Sequence, residues 1–415
     1  MVDVFLSLAI VAAIISIGFF ANLFFSKTQI PDILWLMLVG ILIGPVFNVV
    51  SQELLLSIAP LFAAMAIILI LFESGLEMNI VTLIHNVPHA TLLTLTSFII
   101  SIFAVAIPAF FLLNLTPINA VLLGTILAGT SSAAVTTVVT KLRNITKNTK
   151  QILSIESILN DPLVIVVALV LIQSQVSRDS LTVSGITTSI FGSFSISIVF
   201  GVLVGLLWSR ILVKLHKFEF HHMLTMALLF FSYVAAEFIG GNGAITALMI
   251  GAVLGNIDLF ASLIKSSGFT GLTPSTKEFS SYISFFIRTF FFVFLGALFT
   301  FQRIDIIIIG VLLTFSILLG RYAAVRIISR FIKMGKPDFF TMVFTIPKGL
   351  AAAVVASLPY LTYKIPGTEF FTAIVFTVIM ASSIISTAGF AYQASKSGGG
   401  MPVEQEIKTK ERIRE

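Results

Sequence analysis

Long apolar runs alternate with short polar breaks along this chain, and the runs match the thickness of a bilayer. A helix needs about 20 mostly apolar residues to cross the hydrocarbon core. Thirteen segments meet that measure, at about 4–25, 30–50, 54–76, 88–113, 117–140, 151–174, 183–213, 222–240, 242–260, 279–301, 304–327, 339–360 and 368–393. Only the tight turn Gly240-Gly241-Asn242-Gly243 separates the eighth from the ninth, and the seventh is long enough to tilt. The pattern predicts an all-α polytopic protein, with a membrane domain over residues 1–395 and a short, polar tail over 396–415. The tail opens on Ser397-Gly398-Gly399-Gly400 and runs into mixed charge, a composition that does not pack.

Two spans carry interruptions. The fifth contains Ala128-Gly129-Thr130-Ser131-Ser132-Ala133 and the twelfth Thr345-Ile346-Pro347-Lys348-Gly349-Leu350. For the fifth alone, close helix packing through small residues is an equal reading. The matching break in the twelfth favours two unwound helices in corresponding repeats. Seven spans separate the copies, an odd number, so the repeats are expected to be inverted, an architecture of several secondary transporters.

Lysine and arginine test the count. With the N-terminus outside, the inner loops hold Lys27, Lys141, Arg143, Lys147, Lys150, Arg210, Lys214, Lys217, Lys265, Lys277, Arg326, Arg330, Lys333 and Lys336, and the tail adds five more. The outer loops hold Arg178, Arg303 and Lys364 alone. Nineteen inside against three outside is a strong positive-inside bias, supporting an external N-terminus and a cytoplasmic C-terminus.

Composition agrees on the solvent. Of 415 residues 57% are hydrophobic and 11% charged, at a mean hydropathy of +1.08, against about 25% charged in a soluble domain. The net charge of +6 follows from topology and implies no nucleic-acid partner. With no cysteine, disulfides and thiolate metal sites are excluded. The first apolar run lacks a basic start, so it reads as a retained helix and not a cleaved leader.

Against that background the sixth span stands out: Glu156-Ser157-Ile158-Leu159-Asn160-Asp161-Pro162 continues into a wholly apolar run. A charge at mid-bilayer costs about 2.5–3.5 kcal/mol on insertion scales, and such residues mark ion or proton pathways by default. Glu156 and Asn160 stack on one helical face, and Ser157 and Asp161 on the next. Pro162 has no N–H, so the Ile158 carbonyl loses its helical partner. Carbonyl, hydroxyl and carboxylate are hard oxygen donors suited to an alkali cation. The bland alternative for Asp161 is a buried acid paired with a base. For Glu156 the pairing is the preferred reading, because Arg321 and Lys348 are intramembrane bases in need of a partner. Arg288 is either structural or reaches the interface, and Glu237 is expected to reach it. Glu73, in Phe72-Glu73-Ser74-Gly75-Leu76-Glu77, is either solvated at a cytoplasmic mouth or lines an ion funnel.

These residues resemble the NhaP-type sodium/proton exchangers of the monovalent cation:proton antiporter superfamily. The resemblance rests on Asn160-Asp161-Pro162 after Glu156-Ser157, on Thr130, on the segment around Glu73, and on Ile30-Pro31-Asp32 followed by Gly40-Ile41-Leu42-Ile43-Gly44-Pro45. It implies that Asp161 binds either cation or proton, and that Ser157 and the Thr130 main-chain carbonyl add cation ligands. It further implies that Asn160 ties the crossing helices to the sixth, and that Glu156 pairs with Arg321 or Lys348. Members with Asn-Asp in the sixth span tend to be electroneutral. Two departures are present: Ser131 and Ser132 stand where many members have an aspartate after the threonine, and Lys348 stands where arginine is common. Glu73 or water is expected to replace the missing acid.

The expected function is sodium or lithium exchange for protons in a cell membrane, by a homodimer without cofactor. Potassium/proton exchange is the nearest rival. A passive cation channel is the rival from another class, and would need a polar stripe along several helices. An enzyme is not expected, as no HExxH, GxSxG or phosphate loop occurs.

Overall fold

The computed structural model describes residues 12–20, 32–49, 52–78, 88–131, 135, 142, 145–176, 183–215, 218, 221–264, 274–298, 304–332 and 334–396. The ends of the first span, Ile30 and Pro31, Ser132, the loop bases Lys27, Lys141, Arg143, Arg178, Lys217, Lys265, Arg303 and Lys333, and the tail from residue 397 lie outside them. Helix α1 covers 12–20. It is followed by α2 (Asp32–Ile41), α3 (Gln52–Glu77), α4 (Pro88–Leu113), α5 (Pro117–Ile126), α6 (Lys147–Val176), α7 (Val183–Leu215) and α8 (His221–Phe238). Then come α9 (Gly243–Gly255), α10 (Ile257–Ile264), α11 (Pro274–Ala297), α12 (Ile304–Ile328), α13 (Lys336–Phe344), α14 (Leu350–Ser357) and α15 (Phe371–Lys396). Among the described residues there is no strand, and six helices are long and apolar enough to cross a membrane. Five shorter apolar elements accompany them, among them Trp35–Val46, Pro117–Ile126 and Ala351–Thr362.

The predicted breaks are real breaks. In the fifth span α5 ends at Ile126 and residues 127–131 are not helical. In the twelfth, residues 345–349 separate α13 from α14, which closes through a π-turn at Leu358–Thr362. Pro347 cannot donate to a helical bond, which ends the ladder there. The two breaks touch: Ser131 N donates to the Pro347 carbonyl at 2.8 Å. A Cβ on Gly349 would lie 3.1 Å from Ser131 Cβ, so the glycine permits the close passage.

The helices sort into two bundles. In the first, α3 packs on α9 and α11, α9 also on α7 and α8, and α11 on α2. In the second, α4 packs on α5, α6 and α12, while α15 meets α12, α13 and α14. The bundles meet through α3 against α6, α14 and its π-turn, and through α6 against α7.

Glycine sets the first bundle. A Cβ on Gly75 would run into the Leu248 carbonyl, one on Gly251 into that of Phe72, and one on Gly255 into that of Leu76. The α2–α11 pair repeats this at Gly40, Gly44 and Gly296, which meet carbonyls of Val293, Ala297 and Met37. The Gly40-to-Pro45 element therefore has a packing role. In lipid, helices gain nothing from hydrophobic segregation, so backbone approach through small residues is what holds them. Glu237 is exposed at the C-terminal end of α8, next to the glycine turn. Its Oε1 accepts the Gly243 N–H at 2.8 Å, while Asn242 Oδ1 accepts from Ala244 N and Ile245 N at 3.0 and 3.2 Å. Together they cap α9, whose first amides would otherwise be unsatisfied.

Gly251→Leu should therefore cost on the order of 1–3 kcal/mol through overpacking, read as a lower thermal-unfolding midpoint in detergent. Gly192→Leu is the control, since nothing lies within 4 Å of a Cβ there, and it should leave the midpoint in place.

Candidate functional site

Helix α6 enters the second bundle with Glu156, Ser157 and Asn160 buried and Asp161 half-buried. Pro162 lies inside this helix. Two polar groups grow from it, one at Glu156 and one a turn further along at Asn160.

The first is an ion pair. Glu156 is 0% exposed and Arg321 on α12 is 2% exposed, so neither charge is screened by water. Arg321 Nη2 donates to Glu156 Oε2 at 2.8 Å, and Nη1 donates to Oε1, a bidentate fork. Arg321 also donates through Nε to the Met342 carbonyl at 2.8 Å and through Nη1 to Ser97 Oγ at 2.9 Å. One guanidinium thus joins α4, α6, α12 and α13. Of the two bases left open by the sequence, Arg321 is the partner of Glu156.

Lys348 does something else. Its Nζ donates to the Gly129 carbonyl at 2.7 Å, and its backbone N–H to Ser382 Oγ on α15 at 3.3 Å. Gly129 belongs to the unwound stretch after α5, where a carbonyl has lost its helical donor. A buried ammonium on that carbonyl satisfies it and sets a positive centre against the negative end of the α5 dipole. Together with the Ser131–Pro347 bond, Lys348 locks the two breaks to one another.

The second group hangs from the same crossing. Asn160 Nδ2 donates to Thr130 Oγ1 at 2.9 Å, joining α6 to the unwound stretch. Asn160 Oδ1 is buried and has no hydrogen-bond donor among the described residues. Ser157 Oγ donates to the Ser154 carbonyl at 2.9 Å, which uses its proton and leaves its oxygen lone pairs. Asp161 follows Asn160 directly, in the same turn of α6.

Glu73 belongs to the other bundle. Its Oε1 accepts from Ser281 Oγ on α11 at 3.4 Å, a contact within that bundle. No described hydrogen bond brings it to Thr130 or Asn160. Arg288, also on α11, sits with its Cζ 6.0 Å from the Phe285 ring centroid. Among the described residues no group of three or more His, Asp or Glu could hold a resident metal. Ser97 was not singled out from the sequence; the run of hydroxyls Thr94, Thr96 and Ser97 in an apolar helix was the available signal.

The arrangement sets Asn160 against Thr130 where two broken helices cross, with the half-buried Asp161 next to Asn160 in the chain. Carboxylate, hydroxyl, amide and carbonyl oxygens are donors of the kind that suits an alkali cation.

Comparison with known proteins gives the setting. The profile of the family described as "Sodium/hydrogen exchanger, transmembrane" matches residues 10–392. The K(+)/H(+) antiporter NhaP2 of Shewanella sp. (strain ANA-3) is 26% identical over 384 residues, covering 89% of this chain and 63% of that protein. The Na(+)/H(+) antiporter ApNhaP of Aphanothece halophytica is 26% identical over 279 residues, covering 65% of this chain and 50% of that protein. The chain therefore spans less than two thirds of the length of these relatives. Among solved structures, the sodium proton antiporter MjNhaP1 of Methanocaldococcus jannaschii, at pH 8, superposes with a TM-score of 0.75. It is 22% identical and covers 94% of this chain and 98% of its own.

The ion pair makes a clear forecast. Removing one partner of a buried pair leaves an uncompensated charge, costing about 3–5 kcal/mol. Glu156→Gln alone and Arg321→Gln alone should each lower the unfolding midpoint sharply. The double variant should recover much of the loss, giving a large coupling in a double-mutant cycle.

Proposed function

Because this chain belongs to the sodium/hydrogen exchanger family, we propose that it is a secondary active antiporter exchanging sodium, or lithium, for protons across a cell membrane. The observation that carries the reading is Asn160-Asp161 on α6, tied through Thr130 to the crossing of the two broken helices.

The mechanism needs one carboxylate. Burial favours the protonated form of such a group, and oxygen ligands or nearby cations favour the ionised form. Asp161 therefore exchanges a proton for a cation, with Ser157 Oγ, the Thr130 carbonyl and the uncommitted Asn160 Oδ1 as further oxygen ligands. Glu73, on the facing bundle, contributes from the cytoplasmic mouth, directly or through water. Because cation and proton compete for one site, their fluxes are coupled without a separate gate. One cation for one proton moves no net charge, so the cycle is electroneutral.

Glu156 and Arg321 take no part in carrying ions in this scheme. They hold α6, α4, α12 and α13 as a unit, and Lys348 holds the crossing itself. The two bundles supply the moving parts: inverted repeats, one bundle rocking against a scaffold that also forms the homodimer interface. The N-terminus lies outside and the C-terminus in the cytoplasm, as the distribution of basic loops favours.

Potassium/proton exchange is the second reading, favoured by the relatives named as K(+)/H(+) antiporters. Proteoliposomes challenged with sodium, lithium and potassium in turn, with internal pH followed by fluorescence, separate the two. Asp161→Asn should abolish the cation-dependent pH change while the protein stays folded; full activity in that variant would overturn the assignment. An imposed membrane potential should leave the wild-type rate unchanged.

A further inference from the structure

The structure ties α6 to α13 at a second place, far from the crossing. Asp338 sits in the first turn of α13 and is 3% exposed. Its Oδ1 accepts from Thr146 N at 2.8 Å and from Thr146 Oγ1 at 3.2 Å. Its Oδ2 accepts from Gly335 N at 3.4 Å. Thr146 immediately precedes α6, and its Oγ1 accepts from Thr149 N at 3.3 Å. Gly335 is the N-cap of α13. One carboxylate therefore closes the starts of two helices at once, where each would present unsatisfied amides and a positive dipole end.

The same end of α13 is gripped from its other side. Gln393 on α15 donates through Nε2 to the Pro337 carbonyl at 3.1 Å and accepts through Oε1 from Thr341 Oγ1 at 2.9 Å. Nothing in the ion group needs these bonds for local folding. Yet α6 delivers Asp161, and α13 delivers the unwound stretch that meets Ser131 and Gly129. Midway along, the link is indirect, running from Met342 through Arg321 to Glu156. Helices are stiff over this length, so a slip where both begin is carried to the place where they serve the ion.

We propose that Asp338 is a positioning residue for ion exchange: by capping α6 and α13 together it fixes their axial register, and with it the placement of Asp161 against the crossing. The inference rests on the antiport reading given above. It assigns Asp338 no contact with the ion.

The test uses the full chain with Asp338→Ala and Asp338→Asn, in lipid nanodiscs and in proteoliposomes. Asparagine keeps one oxygen for Thr146 N but turns a donor toward Gly335 N, so its effects should be intermediate. Hydrogen exchange at residues 145–150 should quicken in Asp338→Ala. The cation concentration giving half-maximal exchange should rise about fivefold or more, and the pH profile should move, while the rate at saturating cation stays within about twofold. A folded Asp338→Ala protein with unchanged half-saturation and pH profile would sink the proposal, because a purely structural cap alters the unfolding midpoint alone. Wild-type protein run alongside keeps the two readings apart. If it shows no pH change with sodium, lithium or potassium, the antiport reading fails. If it behaves normally and the variants match it, the positioning role fails.

Discussion

A hydrocarbon solvent offers no partner to a backbone amide or carbonyl, and the second bundle is organised around that constraint. Two helices are unwound within it, and each supplies what the other lacks. Ser131 gives its N–H to the Pro347 carbonyl, and Lys348 gives its ammonium to the Gly129 carbonyl. Neither break is tenable alone. Once the two are crossed, their polarity is concentrated at one spot, and α6 brings Asn160 and Asp161 to it. The oxygen-rich site follows from how the fold resolves its own unsatisfied backbone.

The two carboxylates of α6 show how neighbouring residues acquire different duties. Glu156 is fully enclosed and held by both arms of a guanidinium, so its charge is fixed and cancelled. Asp161, five positions on, is half-buried and follows the residue that reaches the crossing. Burial and a matched partner remove Glu156 from ion chemistry, which is why the proposed exchange is assigned to Asp161.

Much of this was legible beforehand because membrane constraints are written in composition and spacing. The apolar run at 88–113 coincides with α4, and the Gly/Ser/Thr and Pro-Lys-Gly interruptions coincide with the unwound stretches. The partner of Glu156 was not legible. Arg321 and Lys348 are both intramembrane bases, and only the placement of α12 and α14 around α6 decides between them. That the exposed Glu237 carboxylate also folds back to cap α9 was not legible, because a glycine turn does not show which acid reaches its amides. Asp338 carries no sequence signal of a role beyond its own helix. Its position three residues after Gly335, with Pro337 between, fits a helix start, but that it also serves Thr146 depends on a contact 192 residues apart in sequence.

The two bundles are also held by different means, and this bears on how they respond to heat. In the first, α3 meets α9 and α2 meets α11 by glycine against carbonyl, so few side-chain rotamers are frozen in the contact. In the second, α6, α12, α13 and α15 are joined by the extended side chains of Arg321, Glu156 and Gln393, each of which surrenders rotamer freedom to reach its partner. An ordering cost of that kind grows with temperature, whereas the glycine contacts carry little of it. Through this term, warming taxes the side-chain ties of the second bundle more heavily than the glycine contacts of the first.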